Sequence, residues 1–163
     1  MSKWSKWQDI SSAKNLAKEL DKSSGVYEIR LSNSAGRPTH IGRLLGIDKK
    51  GILAIGESGN LAERTKEFYD AYKGQGFQHC VGVRFFLVWA SHYKDWRHSK
   101  DNSKVQVRVM KLQNKTEGKE KEADFLSKYF CEYGELPPLI NKMPDKCQTK
   151  ILEHIRADEI IKT

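Results

Sequence analysis

The sequence has no apolar run of membrane-spanning length. Its first ten residues, MSKWSKWQDI, contain no apolar signal core, so the expected location is cytoplasmic, with no membrane partner. Cysteine is scarce. Cys80, Cys131 and Cys147 are widely spaced and none belongs to a C-x-x-C pair, which supports neither a zinc site nor a disulfide framework. Cys131 lies in an apolar helical stretch and is expected in the core. Acidic residues are also short, 21 against 29 Lys and Arg, for a net charge of +8. That balance favours a polyanionic partner, or belongs to an ordinary basic soluble protein. The charge is spread along the chain, so any basic face must be assembled by folding. There is no internal repeat and no low-complexity tract. What the chain does have, 38% hydrophobic and 10% aromatic residues in 163, suffices for one domain around one core.

The best-marked stretch is Gly51 to Tyr72. Ile52 to Ile55 reads as a strand, Gly56 to Gly59 as a turn, and Asn60 as the N-cap of a helix. Leu61, Thr65, Phe68 and Tyr72 share one face of that helix, and Arg64 lies at the face's edge. Upstream, residues 1–10 form a polar arm with Trp4 and Trp7, and SSAKNLAKELDK reads as a helix. Gly25 to Leu31 alternates as a half-buried strand, with Tyr27, Ile29 and Leu31 on one side and Val26, Glu28 and Arg30 on the other. His40 to Leu45 reads as another strand, joined through the turn at 46–51 to Ile52–Ile55 as an antiparallel hairpin. Cys80 to Ala90 is β-branched and aromatic and reads as a strand. Ser91 to Lys104 is a polar loop, and Val105 to Leu112 is a strand candidate in which some helix remains an option. Thr116 to Tyr133 reads as a helix stopped by Gly134, and 145–161 as a lysine-rich amphipathic helix with Ile151, Leu152 and Ile155 on its apolar side.

Two charges are oddly placed. Arg64 lies on the edge of an apolar stripe, and Glu122 continues the stripe of Phe125, Leu126, Tyr129, Phe130 and Tyr133 towards the helix N-terminus. A buried charge needs a partner. The pair could be a structural salt bridge, or could snorkel outward at the stripe's edge. Alternatively, a carboxylate holding a hard cation, an arginine binding phosphate oxygens and a nearby tyrosine make a phosphodiesterase set.

At this point the residues resemble the GIY-YIG nuclease superfamily. Gly25-Val26-Tyr27 matches the first motif and Ala54-Ile55-Gly56 the second. Arg64 follows Gly56 at the family's spacing, Glu122-Ala123-Asp124-Phe125-Leu126 matches the helix that opens with the metal-binding glutamate, and Asn141 closes Pro-Pro-Leu-Ile-Asn. The resemblance covers about residues 25–141, leaving an N-terminal helical arm at 1–24 and a C-terminal helix at 145–161 of one domain spanning 1–163. It implies an α/β (α+β) fold, a small, mainly antiparallel sheet of three or more strands flanked by helices. It also implies a DNA endonuclease. Tyr27 would assist the attacking water, Arg64 hold the scissile phosphate, Glu122 bind Mg2+ (or Mn2+) and Asn141 orient the site.

The chain departs from the family at several points. Ala54 stands where the second motif usually begins with tyrosine. The protein could therefore rely on Tyr27 alone, be a catalytically degenerate nucleic-acid-binding module, or carry an inactivating change. Glu57 replaces a lysine of the repair members, and Phe68 occupies a position often held by tyrosine or histidine. His40, His79 and Lys49 are further sources of protons or charge. The long segment 32–50 and the ending at Asn141 resemble the type II restriction branch. That implies double-stranded DNA as partner, with a homodimer as an option. Segments 34–50 and 91–104 and the C-terminal helix are the expected DNA-reading regions, with Arg37, His40, Arg43, Lys49, Lys50, Lys94 and Arg97 as contacts.

Overall fold

Strand β2, Ser24–Ser32, is the middle of the molecule because both of its edges are paired. It pairs antiparallel with β5, Ile52–Ser58, on one side and with β6, Lys104–Leu112, on the other. A short β1, Gln8–Asp9, completes the sheet in the order β1-β6-β2-β5. A ribbon of β3, Ile41–Arg43, and β4, Gly46–Asp48, stands apart. The helices are α1, Ala13–Leu20; α2, Leu61–Tyr72; α3, Cys80–His92; α4, Lys115–Tyr133; and α5, Asp145–Ile161. The fold is therefore α+β, a small antiparallel sheet flanked by helices, as expected. The computed structural model describes residues 3–20, 22–92, 104–140 and 142–161. No helix among them is long and apolar enough to cross a membrane.

The sheet carries a core on each face. One contains Tyr27, Ile29, Ala54, Leu61, Phe68 and Phe85; the other contains Ile52, Ile55, Leu126, Tyr129 and Cys147. The buried cysteine is thus Cys147, whereas Cys131 is exposed. On α5, Ile151 is buried but Leu152 is exposed, so the apolar side of this helix is narrower than its pattern suggests.

Three expectations are corrected. First, β2 is covered on both faces. Glu28 is buried because the Arg108 guanidinium donates to its carboxylate at 2.6 Å. The rings of Trp4 and Trp7 close over Arg108 at 4.5 and 4.6 Å. The N-terminal arm is held there by Ser5 N donating to Val109 O at 2.8 Å. An ion pair under indoles reads as an exposed face in sequence.

Second, Cys80 to Ala90 belongs to helix α3. Only a stripe of the apolar run is interior: Val81 and Phe85, one turn apart, are buried, while Leu87 and Val88 are exposed. Gly82 allows α3 to approach α2, since a Cβ there would lie 2.8 Å from Ala71 Cβ. Packing overrides the strand propensity of the run.

Third, β3 pairs with β4 rather than with β5, and β5 pairs with β2. Asp48 is the reason. Fully buried, it accepts from Lys50 N at 2.7 Å, Gly51 N at 3.1 Å, Ile52 N at 2.8 Å and the Tyr129 hydroxyl at 3.1 Å. This turn aims the chain out of the ribbon and into β5. Asp48→Ala leaves those four donors without their acceptor and is expected to cost about 3 kcal/mol, measured by urea denaturation.

Candidate functional site

Tyr27 on β2 stands opposite Gly56 on β5. A Cβ on Gly56 would sit 2.3 Å from the Tyr27 hydroxyl oxygen, so the phenol runs across the bare backbone of β5. Because β5 is the edge strand, the ring is directed to the sheet's margin. The last glycine of the second motif is therefore a requirement of the tyrosine of the first.

Arg64 reaches the same margin from the start of α2. The helix begins where Asn60 accepts from Glu63 N at 3.2 Å, which fixes Arg64 in the first turns. The guanidinium lines one small cavity with the Tyr27 phenol and is its electrostatic partner. It also pairs with Glu67 at 3.0 Å. Tyr27 is only 6% exposed, and burial pushes its pKa up to about 12, against the lowering influence of Arg64.

Glu122 arrives from the opposite layer, on α4. That helix is capped by Asn114, which accepts from Glu117 N at 3.0 Å, and ends at Gly134 with φ 74°. At Gly118 α4 lies against β5: a Cβ there would be 3.7 Å from Glu57 Cβ, an ordinary packing distance. The Glu122 carboxylate feels the charges of Glu57 and Arg64. Its pKa is pushed up to about 7, by burial first and Glu57 second. Glu57 itself has a buried Oε2 with no hydrogen-bond partner among the described residues. Tyr27, Arg64 and Glu122, distant in sequence and carried by three elements, thus act on one another electrostatically: Arg64 on both of the others, and Glu122 on Tyr27.

The other predicted residues divide. Ala54 lies opposite Ile29, fully enclosed in the core on the α2 side. Arg37, His40, Lys49 and Lys50 are exposed. They gather at the far end of the sheet, because Leu31 N donates to Gly51 O and a Cβ on Gly51 would touch Thr39. That end is roughly 15 Å from Tyr27 along β2. Arg43 is not free to meet DNA. Its side chain is 6% exposed, pairs with Glu135 at 3.2 Å and donates to Leu136 O. Asn141, Lys94 and Arg97 lie outside the described residues. The segment before Asn141 does run along the edge of β5, where Leu139 N donates to Leu53 O at 3.0 Å.

No family model, curated protein or solved structure matches this chain. The reading of the site rests on its own residues. Two of them were not placed from sequence: Glu57, identifiable by its position directly after the second motif, and His79, which precedes a helix with Gly82 three residues on.

Among the described residues no three His, Cys, Asp or Glu side chains form a metal cluster. A magnesium-type ion commonly takes only one or two carboxylates and keeps several waters. The Glu57 and Glu122 pair, with the unpartnered Oε2 of Glu57 and the raised proton affinity of Glu122, fits that requirement. The pair also sets a pH dependence. Glu122 holds its proton more tightly in the folded state than at its usual 4.5, so stability falls as pH rises from about 4.5 to about 7. Glu122→Gln is expected to stabilise the metal-free protein at pH 8 by about 1–2 kcal/mol, raising Tm by about 2–6 °C. Little change is expected at pH 4.5. Thermal melts at both pH values check this, and Mg2+ should raise the Tm of the parent but not of the variant.

Proposed function

We propose that this chain is a divalent-metal-dependent endonuclease that hydrolyses phosphodiester bonds in DNA. What supports the reading is the electrostatic coupling of Tyr27 to Arg64 and Glu122, and of Glu122 to Arg64, across three separate elements. The GIY-YIG resemblance supports the same assignment, and the net charge of +8 suits a polyanion. Duplex DNA, a type II restriction-like manner of cutting and a cytoplasmic setting are the finer parts of the proposal. The exposed Arg37, His40, Lys49 and Lys50 would follow the backbone away from the site.

Glu122, with Glu57 beside it, would hold the cation. When bound, a divalent cation supplies charge stabilisation at the phosphate and at the leaving oxygen. Arg64 grips phosphate oxygens through its planar fork, which matches two oxygens at once. Its place beside Tyr27 would keep phenol and guanidinium on the same side of the phosphate. Tyr27 in its phenolate form accepts the proton of the attacking water and becomes the neutral phenol, and Arg64 lowers the cost of forming that phenolate beforehand. With its pKa near 12, only about one phenol in 10^5 is ionised at pH 7. Cleavage should therefore climb about tenfold per pH unit between pH 7 and 9.

Supercoiled plasmid with Mg2+ over that pH range tests the proposal. Nicking that EDTA and Glu122→Gln both remove is the expected result. A second reading, a module that binds nucleic acid without cutting, is favoured by the enclosed methyl of Ala54 where the family places a phenol. Salt-sensitive DNA binding without nicking at any pH would select it.

A further inference from the structure

Between β2 and α2 lies a cavity of about 10 Å³, lined by Tyr27, Arg64, Thr65, Phe68 and His79 among others. That is room for about one water. His79 is fully buried and enters the cavity from the turn before α3. Its ring meets Phe68 edge-on, with centroids 5.1 Å apart, and Tyr27 at 5.8 Å.

The hydrogen bonds of His79 fix its chemistry. Its carbonyl oxygen accepts from Val83 N at 3.0 Å, and Nδ1 accepts from Gly82 N at 3.3 Å. The imidazole therefore caps α3. A ring nitrogen that accepts an amide N–H carries no proton, so in the neutral ring the proton is on Nε2. Burial, with the charge of Arg64 second, pushes the His79 pKa down to about 3, and the ring stays neutral. Nε2 is itself enclosed and has no hydrogen-bond partner among the described residues. A buried donor without an acceptor is costly, and helix capping needs only the other nitrogen.

We propose that His79 is a positioning residue of the nuclease site: its Nε2–H donates to one water in this cavity, and that water ties the imidazole to the Tyr27 hydroxyl and the Arg64 guanidinium. The inference rests on the nuclease reading for its purpose but not for its geometry. The water's bonding can be completed from the lining groups. It accepts from His79 Nε2–H and from an Arg64 N–H, and donates to the oxygens of Tyr27 and Thr65. The Thr65 hydroxyl already spends its own proton on Leu61 O at 2.7 Å, which leaves its oxygen free to accept. Occupying a Tyr27 lone pair in this way leaves the phenol's other positions to face Arg64 and the sheet margin. A histidine between α2 and α3 would thus hold in register the two groups that face the phosphate.

His79→Asn separates the two roles of the side chain. Asparagine is a good N-cap and can still accept from Gly82 N, but it places nothing at Nε2. The expected result is a Tm near that of the parent, a kcat for plasmid nicking lower by about 10–100-fold and a KM within about twofold. Nitrogen-15 spectra of the histidines in the full chain supply a readout independent of cleavage. They should give His79 as the neutral Nε2–H form from pH 5 to 8, with a cross-peak from Nε2–H to water. The Arg64 Nε–H and Tyr27 ring signals should shift in His79→Asn. A proton on Nδ1, a charged ring at pH 6, or Tyr27 and Arg64 signals unmoved by the variant would overturn the proposal. So would an unchanged kcat. If no form of the protein nicks plasmid, the nuclease reading fails, and the spectra alone uphold or overturn the link from His79 to Tyr27 and Arg64.

Discussion

Arg64→Ala is expected to lower Mg2+-dependent plasmid cleavage by at least about 10^3-fold with a Tm change of under about 3 °C. The large effect follows from what the guanidinium does twice. In the proposed mechanism it is the cation that meets the phosphate, and it opposes the upward push of burial on the Tyr27 phenol. Removing it strips the transition state of a fixed positive charge and leaves the base harder to ionise. The small effect on folding follows from its other partner. The ion pair with Glu67 is a half-exposed i,i+3 contact of the kind that contributes about 0.3–0.5 kcal/mol. Arg64→Lys should retain the charge but lose the planar fork, with cleavage lower by about 10^2-fold. Single-turnover cleavage and thermal melts on the same preparations check both statements.

Ala54→Tyr is expected to lower Tm by about 5–10 °C without increasing cleavage. Family resemblance alone suggests the opposite, a phenol restored to its slot. The packing argues against it. Ala54 has no exposed surface and lies opposite Ile29 in a core that also holds Tyr27, Leu61, Phe68 and Phe85. The cavity near that core has about 10 Å³, far less than a phenol ring occupies. Overpacking of this sort typically costs 1–3 kcal/mol. A variant that folds as well as the parent and cuts faster would show that the core yields and that the slot is real.

The parts of the fold that were legible in sequence are those where local pattern and tertiary environment agree. The Asn60 cap, the α2 stripe, the Gly134 stop and the β2 and β5 strands all belong to this group. The three candidate site residues were singled out because Tyr27 and Arg64 sit at fixed spacings from the glycines of the two motifs, and because Glu122 places a charge in line with an apolar stripe. What failed to be read depends on contacts distant in sequence. The burial of Glu28 depends on Arg108 and two tryptophans. The loss of Arg43 as a DNA contact depends on Glu135. The exchange of hairpin partners depends on Asp48 finding Tyr129. The run at Cys80 to Ala90 carries strand residues in a helix because only one stripe of it meets α2. His79 and Glu57 are single residues whose meaning lies entirely in what surrounds one buried atom.

The most direct test of the shared site is the paramagnetic broadening of NMR signals by substoichiometric Mn2+. The account predicts that signals of Glu57, Glu122, Tyr27 and Arg64 broaden first, that those of His40, Lys49 and Lys50 persist, and that Glu122→Gln abolishes the selectivity. Broadening centred elsewhere, or spread evenly over the acidic surface and unaffected by Glu122→Gln, would contradict it.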